Sequence, residues 1–362
     1  MSFLRLLPRR AQPLAVAGLM LLAALPAPAL ARIPAPPADP LPSWRDGPTR
    51  RALLAWVERV TRVGSPDYVP AAERIATFDN DGTLWPENPL PFQLQYSLDT
   101  LRARVRREPT LAQDPLVQAA LRGDPAEFMA SGTRVLARLL ELTATGMTVE
   151  EYSASVRDWL ATARHPRYGR PYDQLTYQPM RELLCHLRAN GFRTWIVSGG
   201  GSDFMRVWSE AAYGIPPEQV VGSRADTRFE LRQGRPVLVK TLERPFLNDK
   251  AGKPVGIQAA IGRRPIAAFG NSDGDLQMLQ FTTIANPRPA LGLLVHHTDG
   301  SREYVYDARP RSSGRLVEAL AQAPARGWLV VDMARDWSAL FPAAGAYGWI
   351  GNGPGTGGCL LH

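Results

Sequence analysis

The chain has 2 cysteines among its 362 residues. That is too few for a disulfide framework to replace a hydrophobic core. With only 5 histidines, no cluster of thiol and imidazole ligands suited to structural zinc stands out. Long apolar runs are missing after the N-terminal segment, so no later stretch has the length to span a bilayer. Blocks of Lys and Arg are missing too. The formal charge is +8, or about +5 once Arg5, Arg9 and Arg10 of the N-terminal segment are set aside. That balance favours small anionic ligands and falls short of a nucleic-acid footprint. Arg102, Arg104, Arg106 and Arg107 are interleaved with apolar residues, as on a solvated helix face.

The N-terminus has the three parts of an export signal. Arg5, Arg9 and Arg10 form its charged region, Leu14 to Leu25 its apolar region, and Ala29-Leu30-Ala31 its small-residue cleavage site. The apolar run is short, and Pro26 and Pro28 break the chain directly after it. Residues 1–31 therefore read as a signal peptide with no stable membrane insertion after cleavage, and the protein as periplasmic or secreted. Residues 32–46 are Pro- and Ala-rich and read as a linker. Residues 343–362 are Gly-rich and read as a loose tail. Export would permit Cys185 to pair with Cys359; the alternative is a buried thiol at Cys185, which sits in a helical pattern.

The most informative stretch is Ile75-Ala76-Thr77-Phe78-Asp79-Asn80-Asp81-Gly82-Thr83-Leu84. A β-prone apolar run ends in two carboxylates spaced i, i+2, which face the same side of a strand. Two carboxylates so close need a cation or a shared proton between them. A second run, Thr194 to Val197, ends in Ser198-Gly199-Gly200-Gly201, a hydroxyl and free N–H groups suited to a phosphoryl oxygen, and is followed by Ser202 to Trp208, which reads as a helix. Lys250 and Lys253 precede a short helical stretch, Gly256 to Ile261; Lys253 is favoured because Pro254 suits a first helical turn. A fourth run, Ile266 to Phe269, ends in Gly270-Asn271-Ser272-Asp273-Gly274-Asp275 and an apolar helix. His296 and His297 close a further strand, Ala290 to His296, and without other His or Cys neighbours read as structural rather than as a zinc pair.

These four motifs, in this order, resemble those of the haloacid dehalogenase superfamily, and in particular its phosphoserine phosphatase-like branch. The resemblance covers residues 73–86 and 180–300. It implies an α/β fold: a Rossmann-like parallel sheet with helices on both faces, and a mainly helical cap inserted after the first core strand. Residues 47–86 and 179–342 would form the core and 87–178 the cap, where helical patterns recur near 92–107, 126–144 and 149–164. Residues 219–240 read as a β-hairpin decorating the core.

By the same resemblance Asp79 is the nucleophile that attacks phosphorus and Asp81 the general acid and base. Ser198 and Lys253 hold the phosphoryl oxygens. Gly199, Thr83 and Glu87 line the substrate site, Glu87 lying near where phosphoserine phosphatases contact the substrate amine. Mg²⁺ is implied, held by Asp79, the Asp81 carbonyl and Asn271, which replaces the family's usual Asp; Asp275 or Asp273 could take over. Asp81 separates this chain from C–Cl dehalogenases, which lack an acid there, and from P-type ATPases, which carry Thr. The expected activity is hydrolysis of small phosphate esters through an aspartyl-phosphate. A phosphotransferase using that intermediate and a catalytically silent exported binding protein are the alternatives.

Overall fold

The computed structural model describes residues 39–122, 133–310 and 313–343. The signal segment, the linker up to residue 38, the tail from 344, and with it any pairing of Cys185 with Cys359, lie outside the described residues.

Short apolar runs supply the core strands. β1 (Ile75–Phe78), β2 (Arg193–Gly201), β3 (Val220–Ser223), β6 (Ala267–Gly270), β7 (Leu291–His296) and β8 (Leu329–Asp332) form one six-stranded sheet in the order β3-β2-β1-β6-β7-β8. Every pairing in it is parallel. Alternate residues along each strand face opposite sides, and the core divides accordingly. Ile196, Ala267, Phe269, Leu293 and Val295 join one hydrophobic cluster, while Val197, Ala268 and Leu294 join another.

Helices cover both clusters. On the first side lie α1 (Pro48–Thr61), which buries Leu53, Trp56, Val57 and Val60 at helical spacing, and α6 (Gln178–Ala189). On the second lie α7 (Gly252–Ile261), α8 (Leu276–Thr283) and α9 (Glu318–Arg326), supplying Ile257, Leu279 and Ala319. Sheets covered on both faces are buried throughout, which is why every residue of β1 and β6 is buried, without alternation of polarity.

Between β1 and β2 the chain makes a helical insertion: α2 (Phe92–Arg107), α3 (Pro115–Arg122), α4 (Thr133–Thr143) and α5 (Val149–Thr162). It has its own apolar cluster, with Leu94, Leu98 and Leu101 of α2 packed with Val117 and Leu139. α5 starts at a capping box in which Thr148 and Glu151 satisfy each other's backbone N–H groups. Cys185 is buried on α6.

Two expectations change. Residues 219–240 are more than a hairpin: Val220 and Val221 are buried and join the main sheet as β3, and only β4 (Thr227–Arg232) and β5 (Arg235–Lys240) pair as the antiparallel ribbon. The two adjacent valines supply the two-sided burial that a strand of a covered sheet requires, whereas the ribbon leaves Phe229 and Leu231 exposed. The stretch after Gly201 is helical only over Ser202–Met205, with a second turn at Ser209–Tyr213.

His165 follows α5 and is buried. Its Nε2 donates to the Asn88 carbonyl at 3.0 Å and its Nδ1 accepts from Arg167 N at 3.2 Å, the pattern of a neutral ring. Burial pulls its pKa down to about 4. The unfolded chain, with an ordinary value near 6.5, therefore binds the proton first as pH falls. His165 stabilises the fold fully above pH ~6.5 and loses that contribution, about 3 kcal/mol, by pH ~4. Urea midpoints of the native protein and of His165→Gln should differ by more at pH 7 than at pH 4.5.

Candidate active site

β1 is central, and the chain turns from it toward β2 on one side and β6 on the other. Ligands of open α/β sheets bind where the strand order reverses, beyond the carboxyl ends of the strands. Asp79 stands there: it directly follows β1, and its N–H extends the pairing with β6 through the Phe269 carbonyl at 2.9 Å. The loop beyond closes tightly, with Leu84 N bonded to Asn80 O at 2.8 Å and Gly82 N to Trp85 O at 2.8 Å. Gly82 has φ +76, and a Cβ on it would overlap the side chains of Asn271 and Glu87. Only glycine fits that turn.

Lys253, on the first turn of α7, is 1 % exposed. Its ammonium lies 2.8 Å from Asp79 and 2.5 Å from Asp275. Lys250 is exposed with φ +51 and does not reach this cluster. The other Asp275 oxygen accepts from Asn271 N, Ser272 N and the Ser272 hydroxyl at 3.0–3.2 Å. Asp275 thereby ties the turn after β6 to the lysine, with both oxygens engaged. Asp273 points elsewhere, accepting from Arg315 at 2.7 Å and from the N–H groups of Val317 and Ala319 at 3.0 Å, at the start of α9.

Asp81 accepts the indole N–H of Trp85 at 2.6 Å. Trp85 is fully buried and stacks on Trp208 with ring centroids 4.0 Å apart. Ser198, 1 % exposed at the end of the apolar run of β2, accepts from Gly200 N at 3.1 Å. A Cβ on Gly200 would lie 3.5 Å from the Asp81 carboxylate, which places the glycine turn against the acid. Gly199, partly exposed, borders Asp249. Thr83 is fully buried and donates to Asn271 Oδ1 at 3.2 Å. Glu87 is turned inward, 3 % exposed, with both oxygens hydrogen-bonded.

The cluster is strongly acidic for its burial. Burial and the charge of Asp275 push the Asp79 carboxyl well above the usual range, and Lys253 offsets this only in part. Burial raises Asp81 to about 6, against the lowering effect of the Trp85 indole, and raises Glu87 to about 7. Burial alone would lower Lys253, but Asp275 and Asp79 hold it above the ordinary lysine range. One ammonium bridging two of four nearby carboxyl groups leaves an excess of acid. An oxygen-seeking divalent cation fits that excess and the hard donors available: the Asp79 carboxylate, the Asp81 carbonyl and the Asn271 oxygen. Among the described residues no group of three or more His, Cys, Asp or Glu side chains forms a metal cluster by itself.

The sequence family decides what this geometry belongs to. The haloacid dehalogenase-like hydrolase model matches residues 76–280, from β1 into α8. The chain is a member of that family. No curated protein matches it. Among solved structures, it is similar to a conserved protein of unknown function from Anaerococcus prevotii, with 15% identity over 69% of this chain and 85% of the other and a TM-score of 0.46. A phosphoserine phosphohydrolase-like protein from Francisella tularensis gives 16% identity over 70% and 98%, with a TM-score of 0.38. A hydrolase of the same family from Salmonella enterica gives 17% over 69% and 70%, with a TM-score of 0.34.

Several supporting residues of this hydrolase carried no signal in the sequence. Gln93, at the start of α2, accepts from Gly201 N at 2.6 Å and so joins the insertion to the glycine turn. His297 contacts the Gly82 carbonyl at 2.7 Å through Nε2 and Glu303 at 2.9 Å through Nδ1, buttressing the loop after Asp79. His296 faces Asp307 instead, at 3.7 Å. Tyr306 and Ser313 bond Glu87. All come from distant segments with no spacing rule to link them; only the family's short motifs have one.

Proposed function

We propose that this hydrolase is a phosphatase acting on small phosphate monoesters outside the cytoplasm. One observation carries the reading: a carboxylate at the tip of the central strand, with a buried lysine 2.8 Å away and a second carboxyl of raised pKa on the same loop. Asp79 attacks phosphorus and forms an aspartyl-phosphate, splitting one difficult displacement into two easier ones. Lys253 holds charge on the phosphoryl oxygens as they move, and Ser198 with the N–H groups of Gly199 and Gly200 borders the same volume. Asp81, with a pKa of about 6, is poised near neutrality to protonate the leaving alkoxide and then to take a proton from the attacking water. Mg²⁺, on which the family typically depends, would be held by Asp79, the Asp81 carbonyl and Asn271, and when bound offsets repulsion between an anionic nucleophile and an anionic substrate. The helical insertion, tied in through Gln93, serves as a cap that excludes water and selects substrate.

The test is hydrolysis of an aryl phosphate by the protein with Mg²⁺ and with a chelator. Phosphate release that the chelator abolishes is expected. No release across a panel of phosphomonoesters and divalent metals would contradict the reading and favour a binding protein.

Trp85→Phe keeps an aromatic ring against Trp208 but removes the N–H from Asp81. A hydrogen bond to a charged group contributes about 1.5–3 kcal/mol, so kcat/KM for the aryl phosphate should fall roughly tenfold to a hundredfold. The urea midpoint should move much less.

A further inference from the structure

Glu87 is held by three residues far from it in the chain. Its Oε1 accepts from Asn271 Nδ2 at 2.6 Å and from the Tyr306 hydroxyl at 2.8 Å, and its Oε2 from the Ser313 hydroxyl at 2.5 Å. Two glycines clear the space it fills: Gly82 at φ +76 and Gly314 at φ +86, where a Cβ on either would overlap Glu87 Oε1. Both carboxylate oxygens are thus engaged by partners within the protein.

The seat also constrains Asn271. The Tyr306 and Ser313 hydroxyls both donate to Glu87, so its oxygens face Asn271 as acceptors. With Glu87 on one side and the Thr83 hydroxyl donating to Oδ1 at 3.2 Å on the other, the amide has one favoured orientation: nitrogen toward Glu87, oxygen away from it. Turning it over would set oxygen against carboxylate.

We propose that Glu87 is a positioning residue for cation binding, fixing the Asn271 amide so that its oxygen, not its nitrogen, is presented to the metal. This rests on the metal-dependent phosphatase reading above. The acid that this corner of the site lacks at 271 stands behind it at 87, and the two positions are coupled. An acid at 271 would set an oxygen against the Glu87 oxygen that now accepts from Asn271, so an acid enters at 271 only if 87 changes with it. Partners of metal-ligating groups act in this way, and their loss typically weakens metal affinity about 10–100-fold.

The experiment measures Mn²⁺ binding, from the paramagnetic resonance of free Mn²⁺, alongside urea midpoints for the native protein, E87A, E87Q, N271D and E87Q/N271D. E87A should weaken Mn²⁺ about 10–100-fold. E87Q should stay near the native protein, because an amide oxygen still accepts from Asn271. N271D should weaken Mn²⁺ and lower the midpoint. E87Q/N271D should recover both, since the introduced amide then donates to the introduced carboxylate. Unchanged Mn²⁺ affinity in E87A, or N271D matching the native protein in affinity and midpoint, would overturn the proposal. If those results came from a protein that binds Mn²⁺ and hydrolyses aryl phosphate, the phosphatase reading would stand and this inference alone would fall. A native protein that binds no Mn²⁺ would overturn both.

Discussion

Asp79→Asn should abolish turnover while leaving the fold intact. An amide cannot attack phosphorus as an ionised carboxylate does, and removal of a covalent nucleophile costs on the order of 10⁴-fold or more in kcat. The expected stability change is small because two effects oppose each other. The substitution loses the 2.8 Å pairing with Lys253, but it also relieves the crowding of acid with Asp275 that raises the Asp79 pKa. Steady-state kinetics with an aryl phosphate and a urea titration of the same preparation check both halves. Loss of activity together with a collapsed urea midpoint would make Asp79 structural first and catalytic second.

Lys253→Met should cost both stability and activity. Lys253 is one of three lysines in the chain, with Lys240 and Lys250, in a protein that otherwise uses arginine for its positive charge. It is 1 % exposed and lies between Asp79 and Asp275. Methionine matches its length and apolar stem, so little packing is lost. What remains is a pair of buried carboxylates with no cation between them, and removing one partner of a buried ion pair typically costs about 3–5 kcal/mol. Adding Asp275→Asn removes one of those acids and should restore part of the urea midpoint. Turnover should stay low in both, because the ammonium that steadies the phosphoryl oxygens is absent in each. A Lys253→Met protein with an unchanged midpoint would mean that the cluster holds its acids protonated and does not need the lysine.

The sheet is legible in the sequence because its core strands are short, apolar and stop at residues with chemistry. Ile75 to Asp79 and Ile266 to Asn271 show this directly: burial on both faces dictates the apolar run, and the site at the carboxyl ends dictates how it finishes. Lys253 over Lys250 was legible from Pro254, a first-turn residue, and the structure brings Lys253 alone of the two to Asp79. β3 was less visible, since Val220 and Val221 closely precede a ribbon of similar β-propensity and only tertiary burial tells them apart.

The contacts of the supporting residues were not legible. Trp85 reads equally well as core, and it is core; its indole N–H also meets Asp81. Glu87 reads as a substrate-site residue through the resemblance alone, and its partners were not visible because Tyr306 and Ser313 lie 219 and 226 positions away. His297 reads as a strand-end histidine, and its contact with Gly82 crosses 215 positions. Hydrogen bonds that span a fold leave no periodicity in the chain, whereas a strand, a cap or a glycine turn does.

The central claim is a covalent aspartyl-phosphate on Asp79, and acid quenching during turnover tests it directly. Asp81→Asn should slow hydrolysis of the intermediate, since it removes the base proposed for the attacking water, so it is the form in which to look. After reaction with an aryl phosphate and Mg²⁺, mass spectrometry of the quenched protein should find one phosphoryl group, located on the peptide that carries Asp79 and absent when a chelator is present. Turnover by the native protein with no such adduct in either form, or an adduct on another residue, would contradict the account.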